Sequence, residues 1–395
     1  MPTSWSSRRT SLRAIAVSLL WATSMCACTS APTAVAQTTA HGAAIDAFRH
    51  RLEADVAADN VGSITAAVVI GDSIVWAEGF GSADYDKHIP AGPNTIYRLG
   101  SVSKSFTAIV LAQLVDRKVI ALDDPVEKYF PEIRGLANPR PGAKPITFRQ
   151  LASHTAGIER EPELPGAASG PIAQWESKVL ASIPTTSFDA MPGSRYSYSN
   201  IGYGILGLAL SRAAHVPFMQ LVADGIFTPL GMTSSTFIIT DPLRPALSVG
   251  YNNSADGIDV SVPAAEQAGR GYKVPNGGVY STVTDMARYL GALSGAKRPV
   301  MSDSMRVAMM TKQTPEAGPD GYGFGLMISA PPGQVRTIHH GGSVAGYTCA
   351  IAFDPESKVG VILLRNYNGG HTPLDAIAVQ TVRAFVAERK AAGLR

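Results

Sequence analysis

Cysteine is scarce in this 395-residue chain, which holds three: Cys26, Cys28 and Cys349. Two of them precede Ala34-Val35-Ala36, a small-residue site that fits cleavage of an export signal. Cleavage there would leave Gln37 first and Cys349 alone, which excludes an internal disulfide from the mature fold. An excess of one charge is missing as well. The formal net charge is +3, and residues 1–36 carry Arg8, Arg9 and Arg13 with no acid. Three minus three leaves a neutral mature chain, with no electrostatic basis for binding nucleic acid or an anionic membrane. Long hydrophobic runs are also lacking, since the apolar stretch 14–25 is too short to span a bilayer comfortably. Internal repeats and low-complexity tracts do not occur. What remains, 45% hydrophobic and 16% charged, is a globular, enzyme-like composition with length for one large domain or two.

Residues 1–36 read as an export signal, with the three arginines before the apolar stretch and the small-residue site after it. Ser7-Arg8-Arg9-Thr10-Ser11-Leu12-Arg13 resembles a twin-arginine signal, with serine where an aromatic is usual. An amphipathic or disordered leader would share this composition. Met25-Cys26-Ala27-Cys28 offers a lipoprotein alternative, in which Cys28 would carry a lipid anchor. The expected location is periplasmic or secreted.

Helical spacing covers 44–58, and β-rich runs at 64–70 and 74–80 flank Gly71-Asp72-Ser73, a hairpin signal. A helix is expected over 101–118, with Phe106, Val110 and Leu114 on one apolar stripe. From about 132 to 274 short helical segments alternate with Gly/Pro/Ser loops. A helix at 284–292 then precedes β-rich runs at 335–340, 347–353 and 358–364. A closing helix is expected from Thr372 as cap and Pro373 as first helical residue. The fold class is therefore α+β, an antiparallel sheet flanked by helices in an α/β sandwich. Residues 44–131 and 275–395 would form the sheet domain, and 132–274 a mostly helical inserted domain.

Three short motifs carry chemistry. In Gly100-Ser101-Val102-Ser103-Lys104, Ser101 and Lys104 share a face at the start of a helix. The serine sits in positive potential beside unpaired N–H groups, and burial could lower the lysine pKa enough to make it a proton acceptor. Ser101 is read as nucleophile and Lys104 as its activating partner. A capped helix with a surface lysine would look the same, and S-x-x-K recurs at Ser294-Gly295-Ala296-Lys297. The second motif is Tyr198-Ser199-Asn200, in a loop leading into a helix. Tyrosine near a lysine ammonium has its phenolate favoured and can relay protons; the Asn200 amide can fix the lysine and a substrate carbonyl. Its counter-reading is a buried packing tyrosine, and Tyr251-Asn252-Asn253 also matches. The third is His339-His340-Gly341-Gly342-Ser343. Glycines such as Gly342 permit close backbone approach, the strand edge could pair with an extended substrate, and the Ser343 N–H could face that of Ser101 as an oxyanion hole. Adjacent strand histidines point to opposite faces and no third ligand stands at useful spacing, so no metal or other cofactor is expected. Gly71-Asp72-Ser73-Ile74 mimics an esterase nucleophile block but fits a tight hairpin better.

The order S-x-x-K, Y-x-N, H-x-G resembles serine hydrolases related to class C β-lactamases, DD-peptidases and family VIII esterases. Supporting blocks are Leu151-Ala152-Ser153-His154-Thr155-Ala156-Gly157-Ile158, Pro275-Asn276-Gly277-Gly278-Val279-Tyr280-Ser281-Thr282 and Tyr322-Gly323-Phe324-Gly325-Leu326. The resemblance runs from about 44 to 390 and implies the β-lactamase/transpeptidase-like fold and an acyl-enzyme mechanism. In it Ser101 attacks, Lys104 and Tyr198 move the proton, Asn200 orients, the Ser101 and Ser343 amides hold the oxyanion, and water deacylates. His154 and Thr155 would support the site from beneath, and His339 would pack. One departure bears on substrate. Efficient class C β-lactamases have lysine where His340 stands, and histidine is typical of DD-peptidases and D-amino-acid-specific peptidases. His340 should overlook the acyl or carboxylate end of a ligand and favour carboxylates more below about pH 6.5, as imidazole gains charge. The expected partner is a small-molecule or peptide substrate: a β-lactam, a D-Ala-type peptide or an ester. A carboxylesterase of short acyl esters and a non-catalytic penicillin-recognition domain are the competing readings.

Overall fold

A computed structural model describes Met1, residues 42–296 and residues 299–394. Apart from Met1, the export-signal segment with Cys28 lies outside the described residues, as does Lys297 of the second S-x-x-K match. Residues 40–395 form one unit.

Eight strands make one antiparallel sheet: β1 (Ser63–Ile70), β2 (Ser73–Asp84), β3 (Ile89–Pro90), β4 (Gly321–Tyr322), β5 (Met327–Ser329), β6 (Thr337–Val344), β7 (Tyr347–Phe353) and β8 (Val359–Arg365). Their order is β3-β2-β1-β8-β7-β6-β5-β4, so the first strand of the N-terminal hairpin joins the last strand of the chain. Residues Val359–Arg365 are all buried because both faces of the central strand are covered. Alternate residues serve alternate faces, as a period of two requires. Val359, Val361 and Leu363 pack with Phe48, Leu52, Val382 and Phe385 of the terminal helices α1 (Gly42–Asp59) and α5 (Leu374–Ala391). Ile362 and Leu364 face the larger core around helix α2 (Ser103–Asp116).

Helix α2 carries more than an apolar stripe. It is buried from Ser103 through Ala112, polar residues included, so it is the axis of the core rather than a surface helix. Its polar side chains are satisfied by the segment that follows the helical region. Thr107 Oγ1 donates to the Pro275 carbonyl at 2.6 Å, and Tyr289 of helix α4 (Val283–Leu293) donates to Ser105 Oγ at 2.6 Å. Between 132 and 274 mostly short helices alternate with loops, in a region whose only ladder strands among the described residues are Asn252–Ser254 and Gly257–Asp259. Its longest helix, α3 (Asn200–Ala214), is almost wholly buried and starts on a Ser199 cap whose Oγ accepts the Gly202 N–H at 2.9 Å.

The closing helix starts later than expected. Pro373 is its cap, Leu374 its first residue, and the Thr372 side chain makes no capping bond. Thr372 is instead held by its carbonyl, which accepts from Arg365 Nη1 at 3.3 Å. Ser73 opens β2 beyond a tight turn, exposed, with its hydroxyl donating to Asp72 Oδ1 at 3.3 Å.

Candidate active site

Two glycines allow strand β6 to cross the start of α2. A Cβ on Gly100, whose φ is +48°, would stand 2.8 Å from the Ser343 nitrogen. One on Gly342 would collide with the Leu99 carbonyl and lie 2.7 Å from Cys349 Sγ. The two backbones therefore touch, and Ser343 lines the same groove as Ser101, which lies in the 3₁₀ turn Gly100–Val102 that precedes α2. Strand β5 pairs with β6 only through His339, so beyond His340 that edge of β6 is open toward the groove. The strand stays continuous through its glycines to Val344 instead of ending before them.

Lys104 Nζ lies 3.1 Å from Ser101 Oγ, 2.7 Å from Asn200 Oδ1 and 3.4 Å from the Asn276 carbonyl oxygen, and among the described residues no carboxylate is bonded to it. The lysine is fully buried. Burial, followed by the positive charge of Arg160, pushes its pKa well below that of an ordinary lysine. The depression favours the neutral amine, the form that can accept the proton of Ser101.

The Tyr198 ring centroid is 4.7 Å from Lys104 Nζ, and Tyr198 lines the same groove as Ser101. The expectation of a favoured phenolate is corrected here. Burial outweighs the opposing influence of Ser101 and of the Arg160 charge, raising the Tyr198 pKa to about 12. A neutral lysine also offers no ammonium to stabilise a phenolate. Tyr198 is accordingly a proton donor at neutral pH. His154, in a left-handed conformation (φ +58°), stacks on it with centroids 4.2 Å apart and accepts the Ser199 N–H at Nδ1, 3.0 Å.

Asn200 opens α3, and its amide is held at both ends. Oδ1 faces Lys104, while Nδ2 donates to Glu161 Oε1 at 2.6 Å. A carboxylate can only accept, so this contact decides the orientation of the amide. The amide faces Lys104 and Glu161, not the groove. Glu161 also receives the Tyr272 hydroxyl and Lys273 Nζ, the latter at 3.1 Å. Asn276 adds a bond from Nδ2 to the Asn200 carbonyl at 2.7 Å. Sequence reasoning missed Glu161, which sits in a charged loop stretch that reads as solvated surface. Asn276 stood within a motif block, without an assigned role.

His340 requires a second correction. It is 1% exposed; Nδ1 lies 2.6 Å from the Gly341 carbonyl and Nε2 3.0 Å from the Tyr322 hydroxyl. The carbonyl can only accept, so Nδ1 holds the proton and Nε2 accepts from Tyr322. Burial, the largest cause, lowers its pKa to about 4. It stays neutral across the range in which it was expected to charge. His339 turns the other way, with Nδ1 3.0 Å from Asp375.

Ser101, Tyr198, His340, Gly342 and Ser343 line one groove of about 700 Å³, with Arg160 at its wall. The β-lactamase family model matches residues 48–383. The chain belongs to the Beta-lactamase family. As a family member it is a serine hydrolase of the β-lactamase and penicillin-binding-protein type, and its antiparallel sheet with flanking helices is the fold of that superfamily. It is 28% identical over 334 residues to Beta-lactamase-like protein 4 of Dictyostelium discoideum, covering 78% of this chain and 57% of that one. The chain thus spans just over half the length of that relative. It is also 28% identical over 313 residues to D-alanyl-D-alanine-carboxypeptidase/endopeptidase AmpH of Escherichia coli (strain K12), covering 76% of this chain and 78% of that one. The octameric penicillin-binding protein homologue from Pyrococcus abyssi superimposes with a TM-score of 0.71 at 27% identity, over 89% of this chain and 78% of that one.

Proposed function

We propose that the protein is an exported serine hydrolase that forms an acyl-enzyme on a β-lactam or a D-amino-acid peptide. The observation that carries the reading is Lys104, fully buried and 3.1 Å from Ser101 Oγ, with no carboxylate bonded to it among the described residues. Neutral Lys104 takes the Ser101 proton as Oγ attacks the substrate carbonyl, and the Ser101 and Ser343 N–H groups receive the oxyanion. Tyr198 gives its proton to the leaving group as the scissile bond breaks. The Lys104 ammonium then returns its proton to Tyr198, leaving both groups neutral. Water adds to the ester, giving its proton to the same relay, and Ser101 is regenerated. The open edge of β6 suits an extended peptide, and the activity for which the Escherichia coli relative is named supports the D-amino-acid peptide class. Export rests on the arginines and apolar stretch of residues 1–36, and intact-mass analysis of the mature protein should find Gln37 first.

A second reading, a carboxylesterase of short acyl esters, is favoured by one feature. Neutral His340 provides no cation for a substrate carboxylate where efficient class C β-lactamases use lysine. Turnover of nitrocefin, a D-Ala-D-Ala peptide and a short p-nitrophenyl ester decides between the two. Ser101→Ala should abolish all turnover and all labelling by fluorescent penicillin or a fluorophosphonate. Labelling of that variant would overturn the proposal.

A further inference from the structure

Besides its catalytic set and His340 the groove carries two arginines, one other histidine and one aspartate, and three of these four are already engaged. Arg365 is 4% exposed, bonded to Thr348 Oγ1 at 2.8 Å and set 3.7 Å from Asp59. His371 lies 3.0 Å from the same Asp59, and Asp375 lies 3.0 Å from His339. Arg160 differs from all of these. Its side chain is 64% exposed, and its nearest acid, Glu161, is 3.9 Å away and already shared by Asn200, Tyr272 and Lys273. Its guanidinium carbon stands over the Tyr198 ring, 4.8 Å from the centroid. Of the two arginines lining the groove it is the exposed one, and its one ion pair is long and shared.

Its place beside Tyr198 says which part of the substrate it meets. The proton donor must lie next to the atom that leaves, so a side chain resting on the donor's ring borders the leaving group. Asp375, against Gly341 on the other wall, would repel an anion there. Resting on the hydrolase reading above, we propose that Arg160 binds a carboxylate carried by the leaving group. The protein would then act on substrates that release a carboxylate-bearing amine or alcohol. A planar guanidinium can take such a group through two parallel N–H···O bonds, which a compact ammonium cannot.

The test uses two aryl esters that share one acyl group and differ by a carboxylate on the aryl leaving group. The wild type should favour the carboxylate ester, and rising salt should erode that preference, because the site is open to water. Arg160→Gln should lower the ratio of kcat/KM, carboxylate ester over neutral ester, by about tenfold and remove its salt dependence. Arg160→Lys should fall between the two. An unchanged ratio in Arg160→Gln, or an equal loss on both esters, would overturn the assignment while the hydrolase reading stands. If the esters are not turned over but the D-Ala-D-Ala peptide is, the same ratio is read with peptides whose last carboxylate is free or amidated. Absence of wild-type turnover on esters, nitrocefin and peptide alike would overturn the hydrolase reading and this proposal with it.

Discussion

Gly342→Ala isolates the oxyanion site from the proton relay. The strand is extended at this position, so alanine costs nothing in backbone conformation; the cost is steric. The new Cβ would lie 2.7 Å from Cys349 Sγ, where ordinary contact begins at 3.4 Å, and closer still to the Leu99 carbonyl. Strand β6 must therefore move by at least 0.7 Å, the difference of those distances, away from the turn that holds Ser101. An oxyanion donor works within a window of about 2.7–3.1 Å, and losing one typically lowers kcat by about 10²–10³. That range is the expected loss on a p-nitrophenyl ester, set mainly in kcat. Gly341→Ala is the comparison, since its Cβ would meet Asp375 Cβ at 3.3 Å, a side chain 39% exposed that can give way. It should cost far less. Circular dichroism and Tm establish that both variants fold. A folded Gly342→Ala with wild-type kcat would refute the placing of Ser343 opposite Ser101.

Other outcomes follow from the same geometry. Lys104→Ala and Tyr198→Phe should each cost about two to four orders of magnitude in acylation, and the double variant little more than the worse single. Losses that multiply in stopped-flow acylation would show two independent steps. Glu161→Gln keeps an acceptor for Asn200 but removes the negative charge that partly opposes the depression of the Lys104 pKa. The acid limb of its kcat/KM profile should move to lower pH, and a limb that stays or rises would refute the coupling. His340 is about 4 in the fold against about 6.5 unfolded, so its contribution is complete above pH 6.5 and lost as pH falls toward 4. That is about 3 kcal/mol at most. His340→Gln should lose less Tm than wild type between pH 7 and 4.5, and equal losses would contradict the burial of a neutral imidazole.

The elements legible in the sequence were those whose burial is one-sided or uniform enough to mark the chain. The run 347–353 matches β7, and 358–364 matches β8 to within a residue at each end, because strands covered on both faces read as continuous apolar stretches. The pairing of Ser101 with Lys104 was legible because both lie within one helical turn. What depends on approach from elsewhere was not. Nothing local to Tyr198 tells whether its neighbouring lysine is charged, and burial, a property of the whole fold, reverses the sign of the expectation. The imidazole of His340 was placed on the right strand, but its partner Tyr322 comes from β4, so its neutral state could not be read from the motif. Glu161 escaped for the same reason: it reaches Asn200 from a loop with no periodicity to betray it.

Helix α2, with the nucleophile at its start, is filled on nearly every side, whereas the wall bearing Arg160 is loop. Backbone amides early in α2 should exchange with solvent only when the whole fold opens, while those of the loop exchange by local opening. Partial loosening would then change what enters the groove before it disturbs the attacking serine. Substitutions in α2 incur the penalties of a packed interior, and those in the loop largely escape them. Changes of substrate among descendants of this chain should therefore accumulate around Arg160, with the nucleophile's helix left almost untouched.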